Sequence, residues 1–140
     1  MKHIRILIER GFLPVSTDYR LCPEKNLFDG PMTDCCDALK WVTETLTTLS
    51  LSGPAVRPDP DKVVVFGWSS GGQLAMSLGY TANNRGIKGP DAIFALYPPS
   101  DMESDREFAT LRSFRSQLTP KKTGTGRAIL VLRKKSLLRL

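Results

Sequence analysis

The sequence predicts an α/β domain in which about three parallel strands are flanked by helices. Strand and helix signals alternate from residue 4 to residue 97, the order expected of such a fold. The run VVVF at 63–66 is unbroken and rich in β-branched residues, as expected of a strand covered on both faces. A length of 140 residues, 41% hydrophobic and 24% charged, suits one globular domain.

The first half of the chain predicts a helix, a strand and a second helix. Residues 4–10 indicate the end of a helix that stops at Gly11, because glycine readily takes the left-handed conformation of a helix C-cap. The stretch FLPVSTDY at 12–19 predicts a short strand. From Met32 to Leu49 apolar residues recur at helical spacing, which predicts a helix with one apolar face.

The second half of the body predicts two further strands around a third helix. Residues 50–60 are rich in proline, glycine and serine and predict a loop. A strand is expected at 63–66, a helix from about 70 to 82, and a last strand at 92–97. No internal repeat interrupts this order.

The charge of the chain changes sharply near residue 105. Residues 1–105 hold 10 basic and 13 acidic side chains, whereas residues 106–140 hold 10 basic and one acidic. The whole excess behind the net charge of +6 therefore lies in the last segment. We divide the chain into a body, residues 1–105, and a basic tail, residues 106–140, which we expect to lie outside the fold of the body.

Composition excludes several classes of function. Clustered lysine and arginine attract phosphates, but the tail has only Phe108 and Phe114 as aromatic residues and no recognisable motif, so no nucleic-acid partner is expected. No apolar run approaches the ~18 residues of a membrane span, and no signal peptide is evident, which predicts a cytoplasmic protein. Cys22, Cys35 and Cys36 lack the spacing of a zinc site or a disulfide framework, so we expect reduced, buried thiols with no metal and no cofactor.

The strongest chemical signal is a G-x-S-x-G pattern formed by Gly67, Ser69 and Gly71. It follows a predicted strand and opens a predicted helix, the context in which a serine nucleophile stands on a sharp turn. Such a turn crowds the residues two before and two after the serine, so both must be small. The pattern therefore predicts Ser69 as a catalytic nucleophile, whereas in the alternative the small residues serve packing only.

Two further residues complete the predicted turn. The backbone N–H of Ser70, at the start of the helix, is expected to donate to an oxyanion. Gly72 allows the helix to pack close to the strand.

Two motifs resemble a known family. The stretches DYRLCPE at 18–24 and DPDKVVVFGWSSGGQLA at 59–75 resemble the hormone-sensitive-lipase-like esterases, the α/β-hydrolase fold-3 group, and in particular its fungal members of secondary metabolism. The resemblance covers about residues 3–101 and implies a partial α/β-hydrolase fold, with the basic tail outside it. It also implies Ser69 as nucleophile, Ser70 as an oxyanion donor, and a small-molecule ester or acyl-chain substrate.

The loop after the first strand carries a second set of notable residues. Tyr19, Arg20 and Glu24 are expected to supply an aromatic anchor and a charge pair that hold this loop, in preference to a role in substrate binding. Cys22 is expected to be a small buried hydrophobe.

The remaining parts of a catalytic triad are not evident. In this fold the acid and the histidine follow the serine, but the one histidine, His3, precedes it. Asp101, Glu103 and Asp105 follow the third strand directly, too early for the family's acid, so the acid and base are expected to be absent.

The family's H-G-G-G loop is missing as well, so the chain resembles the central part of a hydrolase, as a truncated gene model would produce. We expect a serine hydrolase that is inactive as this chain and self-associates through exposed sheet edges. The alternatives are a non-catalytic fragment or pseudoenzyme and, less favoured, a binder of nucleic acid or acidic membranes.

Overall fold

The structure is a computed structural model that describes residues 2–21, 25–49, 51, 57–99 and 125–135. Its regular elements follow in chain order: α1 (Lys2–Glu9), β1 (Phe12–Arg20), a π-helical turn (Phe28–Met32), α2 (Thr33–Lys40), a second π-helical turn (Trp41–Thr45), a 3-10 turn (Leu46–Thr48), β2 (Arg57–Trp68), α3 (Ser70–Asn84), β3 (Ala92–Leu96) and β4 (Thr125–Lys135).

The predicted elements of the body are confirmed, with differences at their ends. Gly11 ends α1 with a φ of 80°, the conformation expected of it. The helix predicted from Met32 to Leu49 changes hydrogen-bonding pattern along its length, as α2 gives way to a π-helical and then a 3-10 turn. The expectation of a loop over 50–60 is wrong for its last residues, because β2 begins at Arg57. Pairing with β4 explains the longer strand, since Arg57 and Pro58 lie opposite Lys135 and Lys134.

Of the four strands in the part of the chain that the structure describes, three run parallel to one another and one runs antiparallel to them. The strand order is β1-β4-β2-β3, with β2 and β3 parallel and β4 antiparallel to both β1 and β2. The predicted parallel sheet of about three strands is therefore present, but an unpredicted strand lies inside it. This strand, Thr125–Lys135, falls within the basic tail that we expected to lie outside the fold. Part of the tail thus belongs to the sheet, whereas the division of the chain at residue 105 stays a prediction.

Helices cover both faces of the sheet around β2. Val63 and Val65, each 1% exposed, point to one face and pack in the main core. The other buried members of that core come chiefly from α2 and α3 and include Met32, Cys36, Leu39, Leu74 and Leu78. Side chains alternate along a strand, so Phe66 and Trp68 point to the opposite face, where they meet residues of α1. Within the described part of the chain, no helix is both long and apolar enough to cross a membrane.

Candidate active site

Ser69 stands on a sharp turn between β2 and α3. Its backbone has φ 51° and ψ −124°, a conformation that residues with a side chain rarely adopt and that costs energy unless neighbours enforce it. Two hydrogen bonds enforce it: the Ser69 N–H donates to the Leu96 carbonyl at 3.0 Å, and the Gln73 N–H donates to the Ser69 carbonyl at 3.0 Å. The predicted strand, turn and helix are thus present, with Ser69 exposed to solvent.

The glycines around Ser69 are required by contact between backbones. A Cβ atom on Gly67 would lie 2.1 Å from the carbonyl oxygen of Gly71. A Cβ atom on Gly72 would lie 3.2 Å from the carbonyl oxygens of both Gly67 and Leu96. The start of α3 therefore packs directly on the ends of β2 and β3, which explains physically why the sequence has glycine at these positions.

Ser70 is linked to β1 by its side chain. The hydroxyl groups of Ser70 and Tyr19 form a hydrogen bond of 3.3 Å, in which either oxygen is able to donate. Tyr19 is only 4% exposed, so its hydroxyl gains a partner at the end of an otherwise apolar side chain. The bond fixes the first turn of α3 against β1. The role of the Ser70 N–H as an oxyanion donor stays a prediction.

Arg20 ties the end of β1 to α2. Its guanidinium group donates to both carboxylate oxygens of Asp34, at 2.7 and 2.9 Å, and to the Asp29 carbonyl at 3.3 Å. The hydrogen bond from Arg20 holds the pKa of Asp34 below its usual range. The sequence predicted that Arg20 holds this loop but missed Asp34, while Glu24 and Cys22 lie outside the described residues.

A cavity of about 270 Å³ lies beside Ser70, between β1 and α3. We call it the Tyr19 cavity. Its walls are mainly apolar and include Leu21, Leu27 and Pro31. Among the described residues that line it, Tyr19, Ser70 and Gln73 have polar side chains. Because Ser70 directly follows Ser69, an apolar group bound in this cavity would lie next to the turn.

Gln73 contributes a polar atom without a partner. It follows Ser69 by four residues, one helical turn, so it projects near the same side of α3. Its side-chain Oε1 atom is buried and has no hydrogen-bond partner among the described residues. Gln73 was not predicted from the sequence as a site residue, although its spacing of one helical turn from Ser69 was the available signal.

The expected absence of a triad acid and histidine stays a prediction. His3 lies on α1, is exposed, and has its ring centroid 5.9 Å from that of Trp68. It therefore contacts the residue before Ser69, on the face of the sheet that α1 covers. Asp101, Glu103 and Asp105 lie outside the described residues.

A serine on a strained turn between a parallel strand and a helix is the arrangement of an α/β hydrolase. The chain belongs to this family: a sequence model of the alpha/beta hydrolase fold, fold-3 group, matches residues 6–136. No solved structure is significantly similar to the chain.

Several fungal synthases are similar to this chain. Methylphloroacetophenone synthase of Cladonia uncialis is 85% identical over 105 residues, and 5-methylorsellinic acid synthase of Aspergillus terreus is 54% identical over 104 residues. A non-reducing polyketide synthase of Penicillium brasilianum is 53% identical over 98 residues. These matches cover 75%, 74% and 70% of the chain, but only 4% of each synthase.

Proposed function

We propose that this chain carries the serine nucleophile of a hydrolase that releases or trims a polyketide-like acyl chain held as an ester or thioester. The backbone conformation of Ser69, between β2 and α3, is the observation that carries the proposal. The relative from Penicillium brasilianum is named as a non-reducing polyketide synthase, which supports an acyl-chain substrate.

The proposed reaction uses Ser69 and the start of α3. The Ser69 hydroxyl oxygen forms a bond to the acyl carbon as a base takes its proton, and the Ser70 N–H donates to the oxyanion that develops. The bond from the acyl carbon to the leaving oxygen or sulfur then breaks, and the leaving group takes a proton. Water attacks the acyl-serine, releases the acid and restores the hydroxyl.

We further propose that the 140-residue chain alone does not turn over esters. A serine hydroxyl is a weak nucleophile until a base removes its proton. The one histidine of the sequence lies on α1 beside Trp68, on the face of the sheet away from the main core. A non-catalytic role, in which the turn is retained for packing, is therefore the second candidate.

Added imidazole separates these two candidates, because it can supply the base that we propose the chain lacks. The chain is treated with a fluorophosphonate probe with and without imidazole, and the labelled residue is located by mass spectrometry. We expect imidazole to increase labelling at Ser69, with none at that position in Ser69→Ala. The matched control, Ser70→Ala, keeps the backbone N–H and should still be labelled. Labelling that stays absent with imidazole, or is equal in Ser69→Ala, would favour the non-catalytic role, whereas labelling of Ser69 without imidazole would contradict the proposal that the chain alone is inactive.

We also propose that the isolated chain self-associates in the cytoplasm. In the described sheet β1 and β3 are edge strands, and β3 presents Phe94 and nearby Tyr97 with 52% and 74% of their surfaces exposed. Such edges and apolar surfaces favour pairing with another chain. The thiols of Cys35 and Cys36 are free, which supports a location in a reducing compartment such as the cytoplasm. Sedimentation of the purified chain should show oligomers, whereas a monomer at all concentrations would contradict the proposal.

A further inference from the structure

The Tyr19 cavity has the size and lining of a site for a small apolar group. Ligand sites in proteins are mostly apolar, occupy about 300–1,000 Å³, and use a few polar atoms to select the ligand. At about 270 Å³ this cavity lies just below that range, which suits a ligand with about one ring. Its position next to Ser70 means that the carbonyl carbon of a bound acyl group would lie near Ser69.

Gln73 contributes a buried polar atom to a cavity that is otherwise mainly apolar. Buried polar atoms in native proteins nearly always have a hydrogen-bond partner, so an exception calls for an explanation. Oε1 of Gln73 is such an exception among the described residues, and Gln73 lines the cavity. The terminal torsion of a glutamine side chain is broad, so the amide turns toward a bound group at little cost. An amide oxygen accepts hydrogen bonds and does not donate them.

We propose that Gln73 is a specificity-determining residue of the Tyr19 cavity, where it accepts a hydrogen bond from a hydroxyl group on a single-ring aromatic acyl group. The inference rests on the proposed function, because only a nucleophilic Ser69 requires the carbonyl carbon of the bound acyl group to lie beside that residue. A hydroxyl donor satisfies Oε1, while the ring fills the part of the cavity formed by Leu21, Leu27 and Pro31.

Non-covalent binding tests this inference without any need for catalysis. The 140-residue chain with Ser69→Ala is titrated with methyl 3-hydroxybenzoate and with methyl 3-methylbenzoate, which differ by a donor group of similar size. Dissociation constants and binding positions are read from the chemical shifts of backbone amides. We expect the hydroxyl probe to bind about two- to ten-fold more tightly, the effect of one hydrogen bond, with the shifts centred on the cavity.

Variants of Gln73 separate its role from a general effect on folding. Gln73→Met, of similar length but without the amide, should lose the preference between the probes. Gln73→Glu keeps acceptor oxygens and should retain it. The reverse change at an exposed position of α3, Met76→Gln, is the control and should leave the preference unchanged.

Four outcomes would overturn the inference: neither probe binds, both bind equally, the preference survives in Gln73→Met, or the shifts lie away from the cavity. Labelling of Ser69 is not involved in these measurements. A chain that shows the preference but resists labelling would contradict the proposed hydrolase, whereas a chain that is labelled but shows no preference would contradict only the role of Gln73.

Discussion

Replacing Gly67 by alanine should disrupt the junction between β2 and α3. The added Cβ atom would lie 2.1 Å from the carbonyl oxygen of Gly71 and 2.7 Å from the amide nitrogen of Gly72. Ordinary contact begins at 3.4 Å, so the two segments would have to separate by about 1 Å. Overpacking typically costs about 1–3 kcal/mol. Because both sides of this contact are backbone, which cannot move as a side chain does, we expect about 3 kcal/mol.

Thermal unfolding followed by circular dichroism measures this loss. A destabilisation of about 3 kcal/mol corresponds to a fall in Tm of about 10 °C for a chain of this size. Gly79→Ala is the matched control, because its Cβ atom would meet only the end of the Ile93 side chain, at 2.8 Å, and alanine favours a helix by about 1 kcal/mol over glycine. The control should melt at or above the temperature of the unchanged chain. If Gly67→Ala melts with the unchanged chain, or Gly79→Ala loses as much, the proposed backbone contact does not determine stability.

Three other predictions concern stability and thiol reactivity. Asp34→Asn should lower the urea midpoint of unfolding at pH 7, because it removes the charged partner of Arg20. Since Arg20 lowers the folded pKa of Asp34, the contribution of this carboxylate to stability is complete above the unfolded pKa of about 4 and is lost as the pH falls through the folded pKa. The urea midpoints of the variant and the unchanged chain should therefore converge in acid. Midpoints that differ equally at every pH would contradict this. Burial raises the pKa of Cys35 to about 12, so this thiol should react with a disulfide reagent at pH 8 only after unfolding, and rapid reaction of the native chain would count against its burial. Deleting residues 125–140 should abolish the cooperative melt, since β4 is the strand that pairs with β1, and an unchanged melt would support a tail independent of the body.

Local patterns predicted the part of the fold that surrounds Ser69. The run at 63–66, the helical spacing after Ser70 and the small residues around Ser69 all act over a few residues, and the strand, the helix and the close backbone contact at Gly67 are present in the structure. The sequence also predicted that Tyr19 and Arg20 hold the loop after β1. The contacts of Tyr19 with Ser70 and of Arg20 with Asp34 are consistent with that prediction.

Contacts between distant residues could not be predicted in the same way. The apolar run in residues 128–132 is compatible with a strand, but its place between β1 and β2 depends on pairing with one strand more than a hundred positions earlier and another more than sixty positions earlier. The partner of Arg20 was missed for a related reason, because Asp34 also suits the first turn of a helix and gives no local sign of an ion pair. The Oε1 atom of Gln73, which has no hydrogen-bond partner among the described residues, likewise becomes visible only when the packing around α3 is known.

The antiparallel strand at the centre of the sheet has a consequence for folding during synthesis. Translation proceeds at about 5–20 residues per second, so several seconds separate the completion of β2 at Trp68 from the arrival of Thr125, the first residue of β4. During that interval β1 and β2 lack the strand that lies between them in the folded sheet. Phe12 remains unpaired until Arg133, its partner in the β1–β4 pairing, has been synthesised. Pairings so distant along the chain close slowly and leave strand edges open to other chains. Yield of native protein should therefore depend on how quickly residues 69–135 are translated and on chaperones that protect the nascent strands.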